Sequence, residues 1–162
     1  MKVLGFILSM MLAFVLNGQV NDSAIRCQVL EKGLVDSLFV FGTWTENGQT
    51  ETHLKYLGQV TTTEGKTLKV MNSIWIWGAS RRATTRLLVY NDKNEYVGNY
   101  VLHITSDLPD RMVNGKLIFT NRDNEGCDLN LTTEIDISQG LPPSIFIQCK
   151  DVWGDSYRFS SE

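Results

Sequence analysis

Residues 84–104, TTRLLVYNDKNEYVGNYVLHI, decide the fold class of this chain. Two runs rich in Val, Leu, Tyr and Thr, residues 84–90 and 96–104, flank the polar segment 91–95. Such runs are typical of β-strands, and a short polar loop between two of them is typical of a hairpin turn. The sequence therefore predicts an antiparallel hairpin here.

The same alternation of strand and turn recurs along the chain and gives about nine strands, each bounded by Asn, Asp, Gly or Ser. The predicted strands cover residues 34–44, 52–62, 68–78, 84–90, 96–104, 116–121, 129–137, 144–150 and 156–160. Apart from these strands we expect only a short helical turn at residues 25–32, which Gly33 would end.

Consecutive strands joined by short turns indicate an all-β fold, a single antiparallel domain of about 8 to 10 strands in meander order. A sheet of that size must hide its edges. It can do so as a closed or partly closed barrel or as a two-sheet β-sandwich. In domain terms, we expect residues 1–18 to be a signal peptide, residues 19–33 a lead-in and residues 34–162 the all-β domain.

The segment Phe41-Gly42-Thr43-Trp44 resembles the Gly-x-Trp motif that opens the first barrel strand of lipocalins. Arg158, near the other end of the chain, resembles the arginine that packs over that tryptophan in the family. The resemblance implies a barrel of lipocalin size as one architecture for this chain.

Residues 1–18, MKVLGFILSMMLAFVLNG, have the layout of a secretory signal peptide. Lys2 supplies a positive start, an apolar run follows, and Gly18 offers a small residue for cleavage. The run is too short to span a bilayer comfortably, and polar residues follow it. We therefore expect cleavage after Gly18, a secreted or periplasmic location and no stable insertion into a membrane.

The charge of the remaining chain argues against a nucleic-acid partner. Without the expected signal segment, 14 basic and 18 acidic residues remain, a net charge of −4. Binding to nucleic acid or to anionic lipid relies on clustered Lys and Arg, which neutralise phosphate groups.

Three cysteines in an exported chain allow one disulfide and leave one thiol. A simple hairpin that turns at residues 139–143 would place Cys149 opposite Thr132. Cys127 would then lie about 17 Å from Cys149, beyond the limit of about 7 Å between the Cα atoms of a disulfide. Either a bulge or loop folds Cys127 back, or Cys27 pairs with one of the two. We expect Cys127 to pair with Cys149.

Residues 74–82, IWIWGASRR, contain the best candidate for a binding site. Trp75 and Trp77 lie two residues apart, so a regular strand projects both indoles from one face. Indoles can stack on sugar rings, while the guanidinium groups of Arg81 and Arg82 bind hydroxyls or carboxylates. The alternative is that the tryptophans belong to the core and the arginines cap a solvated turn.

Other conspicuous residues fit structural roles better. We expect Trp44 and Trp153 in the core, because large aromatic side chains dominate cores. His53 and His103 are expected to be exposed or hydrogen-bonded strand residues, since no nucleophile motif accompanies them. Residues 121–128, NRDNEGCD, resemble the first half of a calcium loop, but a threonine occupies the twelfth position, where a carboxylate is required. We therefore expect a polar hairpin loop there, and neither a metal nor another cofactor.

Functions of different classes remain open. The first is an exported, non-enzymatic binding or interaction module for a small molecule, a glycan or a protein, with its site at Trp75, Trp77, Arg81 and Arg82. The second is a small secreted hydrolase or lyase on a β scaffold, and a purely structural envelope protein is a third. We favour the binding module, because catalysis usually needs a recognisable constellation of base, nucleophile or metal ligand.

Overall fold

A computed structural model describes residues 22–122 and 126–161 and consists mostly of antiparallel strands. Helix α1 spans Asp22–Lys32, and a 3-10 turn spans Thr105–Asp107. The strands are β1 (Leu38–Gly42), β2 (Glu51–Thr61), β3 (Thr67–Trp77), β4 (Arg82–Tyr90), β5 (Tyr96–Leu102), β6 (Arg111–Val113), β7 (Lys116–Thr120), β8 (Thr132–Asp136), β9 (Ser144–Lys150) and β10 (Trp153–Ser160). The all-β prediction is confirmed. The expected signal peptide, residues 1–18, lies outside the described residues.

The strands form two sheets. Strands β1 to β5 follow each other as the expected antiparallel meander, but the chain then leaves this sheet. The large sheet has the order β1-β2-β3-β4-β5-β10-β9, and β6, β7 and β8 form a separate three-stranded sheet. Within the described part of the chain, β1 and β9 are the two ends of the large sheet. The architecture is therefore sandwich-like, and the closed-barrel alternative is wrong.

The two residues on which the lipocalin resemblance depends lie far apart. Trp44 follows the edge strand β1, and the guanidinium carbon of Arg81 lies 5.4 Å from the centroid of its ring. Arg158 lies on β10 opposite Ser144 of β9. Four strands separate β10 from β1 in the sheet order, so Arg158 does not take the place that the resemblance implies.

Residues 103–110 carry the chain from the large sheet to the small one. Leu108 is buried in the core. The next residue, Pro109, is held by the side chain of Asn72 in β3. Asn72 donates a hydrogen bond from Nδ2 to the carbonyl of Pro109 at 2.8 Å. Asp110 then begins the small sheet by donating its backbone N–H to the carbonyl of Ile118 at 2.8 Å. A buried amide in β3 therefore fixes where the chain crosses the sheet.

Both faces of the large sheet are covered by apolar side chains. On one face, Val29 and Leu30 of α1 pack against a cluster made by Leu54, Tyr56, Met71, Leu88 and Tyr90. On the other face, a larger cluster joins the large sheet to the small one. Its buried members are Leu57, Val70, Leu87, Tyr100, Leu102, Leu108, Leu117, Phe119, Ile137, Ile145, Ile147 and Tyr157. Burial on two faces explains the unbroken apolar run at the end of β4.

Two local predictions are confirmed. The helical turn expected before Gly33 is the end of α1, and Gly33 has a φ of +62° and donates its N–H to the carbonyl of Val29 at 3.2 Å. The turn at residues 91–95 closes through a hydrogen bond from the N–H of Asn91 to the carbonyl of Glu95 at 3.0 Å.

Cys127 and Cys149 form the expected disulfide, with Cα atoms 4.5 Å apart. Cys127 lies beside β9, and the next residue, Asp128, donates its N–H to the carbonyl of Cys149 at 2.8 Å. Asn121 donates from Nδ2 to the carbonyls of both Asp128 and Cys149. Strands β8 and β9 belong to different sheets, so the simple hairpin register does not apply. Cys27, in α1, is a free thiol.

The core prediction for Trp153 is wrong. Trp153 is 75% exposed, and its neighbour Val152 is 83% exposed. The β9–β10 turn carries Asp151 at a φ of +52°, and the strand register shifts between Trp153 and Gly154. Trp153 therefore lies at the tip of the hairpin, beyond the part that reaches the core.

We expect Gly98→Ala to destabilise the fold, because β10 lies directly against this position of β5. A Cβ at Gly98 would overlap with Cζ of Phe159 and with the carbonyl oxygen of Ser160. The free energy of unfolding, measured by urea denaturation, should fall by about 2 to 4 kcal/mol. Gly33→Ala is the control, since Gly33 has a φ of +62° but no described atom within 4 Å of the place that a Cβ would occupy. Gly33→Ala should lower the free energy of unfolding by only about 1 to 2 kcal/mol, which is the cost of the left-handed backbone conformation for a residue with a Cβ.

Removing the disulfide should lower the free energy of unfolding more than removing the free thiol does. The bond spans 22 residues of sequence, for which loop-closure entropy gives about 3 kcal/mol. Cys127→Ser combined with Cys149→Ser should lower the free energy of unfolding by about that amount. Cys27→Ser should change it by less than about 1 kcal/mol. Equal losses in the two variants would contradict a stabilising role for the Cys127–Cys149 bond.

Candidate functional site

Trp75 and Trp77 lie at the end of β3 and project from the face of the large sheet that α1 covers elsewhere. Trp75 pairs with Thr52 of β2 and Thr84 of β4, and Trp77 pairs with Arg82 of β4. Side chains of paired strand residues share a face. The expectation that both indoles project from one face therefore follows from the strand register.

The two indoles and Arg82 form one surface, which we call the aromatic surface (Trp75, Trp77 and Arg82). The ring centroids of Trp75 and Trp77 are 5.5 Å apart, with an angle of 23° between the ring planes. The guanidinium carbon of Arg82 lies 5.8 Å from the centroid of Trp77. Trp77 also donates from Nε1 to Oγ1 of Thr84 at 3.0 Å. Both indoles are partly exposed, so neither is enclosed in the core.

Arg81 lies apart from this surface. It occupies the β3–β4 turn with a φ of +53°, and its guanidinium stacks on Trp44 rather than on Trp75 or Trp77. Trp44 is itself only partly buried, and its Nε1 donates to the carbonyl of Gly78 at 2.9 Å. The structure thus brings together three of the four residues predicted for the site. The left-handed turn at Arg81 directs the fourth elsewhere.

A second cluster of polar residues lies between the two sheets, where no sequence motif indicates a site. We call it the inter-sheet cleft (His53, Lys55, Asn72, Asp110 and Arg122). It lines a cavity of about 140 Å³ that is partly open to solvent and has apolar as well as polar walls. The apolar walls come from Leu38, Ile74, Leu108 and Pro109, and Thr105 completes the lining.

Charged groups in the cleft are held by specific contacts. Lys55 donates from Nζ to the carbonyl of Asp110 at 2.5 Å and lies 3.1 Å from Oδ1 of Asp36. Arg122 forms an ion pair with the Asp110 carboxylate, and Thr120 donates its backbone N–H to the same carboxylate at 3.1 Å. Burial acts to raise the pKa of Asp110, but the hydrogen bonds from Arg122 and Thr120 outweigh it and hold that pKa below its usual range.

His53 forms a close pair with Glu51 at the rim of the cleft. Nε2 of His53 lies 2.5 Å from Oε1 of Glu51, and Glu51 also accepts the backbone N–H of Trp44 at 3.2 Å. The hydrogen bond with His53 is the main reason that the pKa of Glu51 is lowered, and the bond with Trp44 adds to it. An ionised Glu51 fixes the proton of neutral His53 on Nε2, so Nδ1 is then an acceptor.

His103 belongs to a different cluster, beside β10. Its ring packs edge-on against Tyr157, with centroids 5.0 Å apart, and its Nδ1 lies 3.7 Å from Oδ1 of Asp155. Tyr157 donates from its hydroxyl to Oδ2 of Asp107 at 2.6 Å. Burial and the Asp107 carboxylate raise the pKa of Tyr157. Both histidines therefore have polar partners, as expected. His53 lies in β2, but the strand prediction for His103 is wrong, because β5 ends at Leu102.

In the segment that resembles half a calcium loop, the side chains of Asn121 and Asp128 bind groups of the protein itself. Asn121 binds backbone carbonyls, and Oδ1 of Asp128 accepts the backbone N–H of Asn130 at 2.9 Å. Residues 123–125 of the segment lie outside the described residues. In the part of the chain that is described, no three His, Cys, Asp or Glu residues are grouped closely enough to hold a metal ion.

We expect Asp110→Asn to lower stability at neutral pH by about 1 to 2 kcal/mol, because it removes the charged acceptor of Arg122 and Thr120. The folded pKa of Asp110 is depressed, so its contribution is complete above the unfolded value of about 3.9 and is lost as pH falls through the lower folded value. The difference between the natural protein and the variant in urea denaturation should thus shrink between pH 5 and about pH 2. Asp92→Asn, at an exposed position of the turn at residues 91–95, is the control and should leave the free energy of unfolding at neutral pH nearly unchanged. A difference that stays constant with pH would contradict the role of the Asp110 charge.

Comparison with known proteins gives no family and no relative for this chain. No protein-family model, no curated protein and no solved structure matches it. Within residues 22–122 and 126–161, no helix has the length and apolar character needed to cross a membrane. The geometry of the aromatic surface and of the inter-sheet cleft is therefore the basis for a functional assignment.

Proposed function

We propose that this protein is an exported binding module and that the aromatic surface holds a carbohydrate ligand. One observation supports the proposal above the others: Trp75 and Trp77 are stacked on each other and partly exposed, with Arg82 beside them. A pair of indoles that belonged only to the core would be enclosed by other apolar side chains.

The position of the surface favours contact with a ligand. Helix α1 covers the same face of the large sheet further along β3, where Met71 is fully buried. Helix α1 does not enclose Trp75 or Trp77, so both side chains keep part of their surface exposed to solvent. The apolar face of a sugar ring packs well against an indole, so this end of the strand suits a saccharide.

Arg82 adds a polar component to that contact. Its guanidinium is exposed and lies over Trp77, so within the described residues it contacts an aromatic ring rather than a carboxylate. A guanidinium donates hydrogen bonds to hydroxyls, and it can donate two parallel hydrogen bonds to the two oxygens of one carboxylate. A saccharide that carries uronic acid units would use both the indoles and the guanidinium.

Export is part of the proposal. The disulfide between Cys127 and Cys149 is compatible with an oxidising compartment, and residues 1–18 have the layout of a signal peptide. With that segment removed, the net charge of −4 does not favour nucleic acid. The protein would therefore act outside the cytosol on a small molecule, a glycan or a glycan-bearing protein.

A hydrolase or lyase is the second candidate, and the pair formed by His53 and Glu51 favours it. A carboxylate that fixes the proton on one imidazole nitrogen leaves the other free to accept a proton from a substrate. His53 lines the inter-sheet cleft, and the carboxylate of Asp110 lines the same cleft. An enzyme of this kind would lose turnover in His53→Gln, while the aromatic surface would be dispensable for it.

Trp75→Ala tests the proposed carbohydrate site. Calorimetric titration with oligosaccharides, one series of neutral hexoses and one of uronic acids, should show affinity for the natural protein. The variant should bind at least about tenfold more weakly, because stacking on an indole contributes of the order of 1 kcal/mol or more. Its free energy of unfolding should fall by less than the 3 to 5 kcal/mol or so that a buried tryptophan costs.

Trp153→Ala is the matched control, since Trp153 is exposed and lies toward the opposite end of the sheet order. It should leave both affinity and stability unchanged. A loss of about 4 kcal/mol in Trp75→Ala, with no oligosaccharide bound by the natural protein, would assign the pair to the core and contradict the proposal.

A further inference from the structure

The face of the large sheet that carries the aromatic surface continues across the neighbouring strands. Arg86 of β4 pairs with Ser73 of β3 on one side and with Val101 of β5 on the other, so these three side chains share a face. Trp75 lies two residues after Ser73, and Arg82 lies four residues before Arg86. Because side chains alternate along a strand, all of these residues lie on one face of the sheet.

Strand β10 adds another arginine to this face. Tyr157 and Phe159 pack into the core cluster on the other face, where the ring of Phe159 meets that of Tyr100. Arg158 lies between these two residues in sequence, so its side chain points to the opposite face, the one with the aromatic surface. Phe159 pairs with Tyr100, and this register, continued by one residue, places Arg158 beside Val101.

We call this part of the face the arginine strip (Arg86, Val101 and Arg158). Val101 is 52% exposed, Arg158 is exposed and Arg86 is partly exposed. Helix α1 covers the same face further along β4, where it packs against Leu88 and Tyr90. The helix therefore leaves the arginine strip open to solvent.

The arginines of this face have no acidic partner in the part of the chain that the structure describes. Arg86 and Arg158 form no ion pair and no hydrogen bond with a described residue, and Arg82 contacts the ring of Trp77. Strand β5 contains no Asp or Glu, and none occupies a position of this face on β3, β4 or β10. A chain with an expected net charge of −4 thus presents a local surface with three unpaired positive charges.

The spacing of the three arginines favours an extended ligand. Strand β5 lies between β4 and β10, so the Cα atoms of Arg86 and Arg158 are about 10 Å apart at the usual strand spacing. Arg82 and Arg86 are four residues apart on one strand, which corresponds to about 13 Å. Cations spread in this way match a chain that carries negative groups at intervals better than they match one small anion.

We propose that the ligand is an acidic polysaccharide whose chain crosses the sheet from Trp77 to Arg158, an inference that rests on the proposed carbohydrate site at the aromatic surface. The indoles stack on sugar rings, and Arg82, Arg86 and Arg158 donate hydrogen bonds to the carboxylates of uronic acid units. Val101 gives an apolar contact between the last two arginines. A nucleic acid fits this protein less well, because the overall negative charge opposes a long chain of phosphates.

The experiment is a calorimetric titration of the full mature protein with a length series of oligogalacturonates and with the same chains as methyl esters. The esters keep the sugar rings and lose the negative charges. The acid should bind at least about tenfold more tightly than its ester, because charge-assisted hydrogen bonds form only with the acid. Its affinity should rise until the chain reaches from the indoles to Arg158. Added salt should weaken binding of the acid and leave binding of the ester unchanged.

Arg158→Gln should weaken binding of the acid about tenfold and leave binding of the ester unchanged, and Arg86→Gln should do the same. Arg111→Gln is the matched control, since it removes the same charge from an exposed position of β6 in the small sheet, which covers the other face. It should change neither affinity. If Arg86→Gln does not fold, the exposed Arg158 and the comparison of acid with ester still decide.

The possible results separate this inference from the proposed function. Equal affinity for the acid and its ester would overturn the inference and leave the carbohydrate site in place. An equal loss in Arg158→Gln and Arg111→Gln would also overturn it, because the attraction would then be non-specific. Tighter binding of single-stranded DNA than of the oligogalacturonate would assign the face to nucleic acid.

Two further results concern the aromatic surface. Binding of the acid that Arg158→Gln weakens and Trp75→Ala does not would contradict the carbohydrate site at the indoles and support the arginine contacts. Binding of no saccharide at all by the natural protein would overturn both proposals.

Discussion

The burial of β3 and β4 on both faces is the constraint on which the rest of the structure depends. Val70 and Met71, neighbours on β3, are both fully buried although they point to opposite faces. A strand buried on both sides needs cover on both sides. Helix α1 supplies one cover. The small sheet supplies the other, together with apolar side chains of β9 and β10 at the far end of the large sheet. The aromatic surface lies where the first cover ends, and the inter-sheet cleft lies where the second joins the large sheet.

The local parts of this arrangement could be predicted from the sequence, because they depend on short-range patterns. The polar residues 91–95 favour a hairpin turn, and the glycine after α1 favours the end of a helix, so both could be recognised from residue type alone. Cys127 and Cys149 are the nearest pair of cysteines in sequence, and the loop before Asp128 is long enough to bend. The transfer of the chain from β5 to the small sheet could not be predicted, because it depends on a hydrogen bond from Asn72 to a residue 37 positions away.

The candidate site could be predicted only in part, for the same reason. The period of two in a strand is enough to place Trp75 and Trp77 on one face, but it says nothing about a turn residue such as Arg81. The burial of Trp153 depends on how far the β9–β10 hairpin extends past the core, which no local pattern reveals. The residues of the inter-sheet cleft come together only through tertiary contacts. The signal that the sequence offered for this cleft was the presence of polar side chains on β2 and β3 between residues that are buried.

Strand β1 affects how this protein behaves when it is concentrated. It ends the large sheet with a row of backbone groups, and its Leu38 and Val40 are exposed. An apolar edge of this kind is a template for a strand from another molecule. The strand spans only five residues and ends at Gly42, whose φ of +75° turns the chain away from the extended conformation. Its shortness thus limits the ladder that two molecules can form, which keeps the β-sheet from growing by adding copies edge to edge.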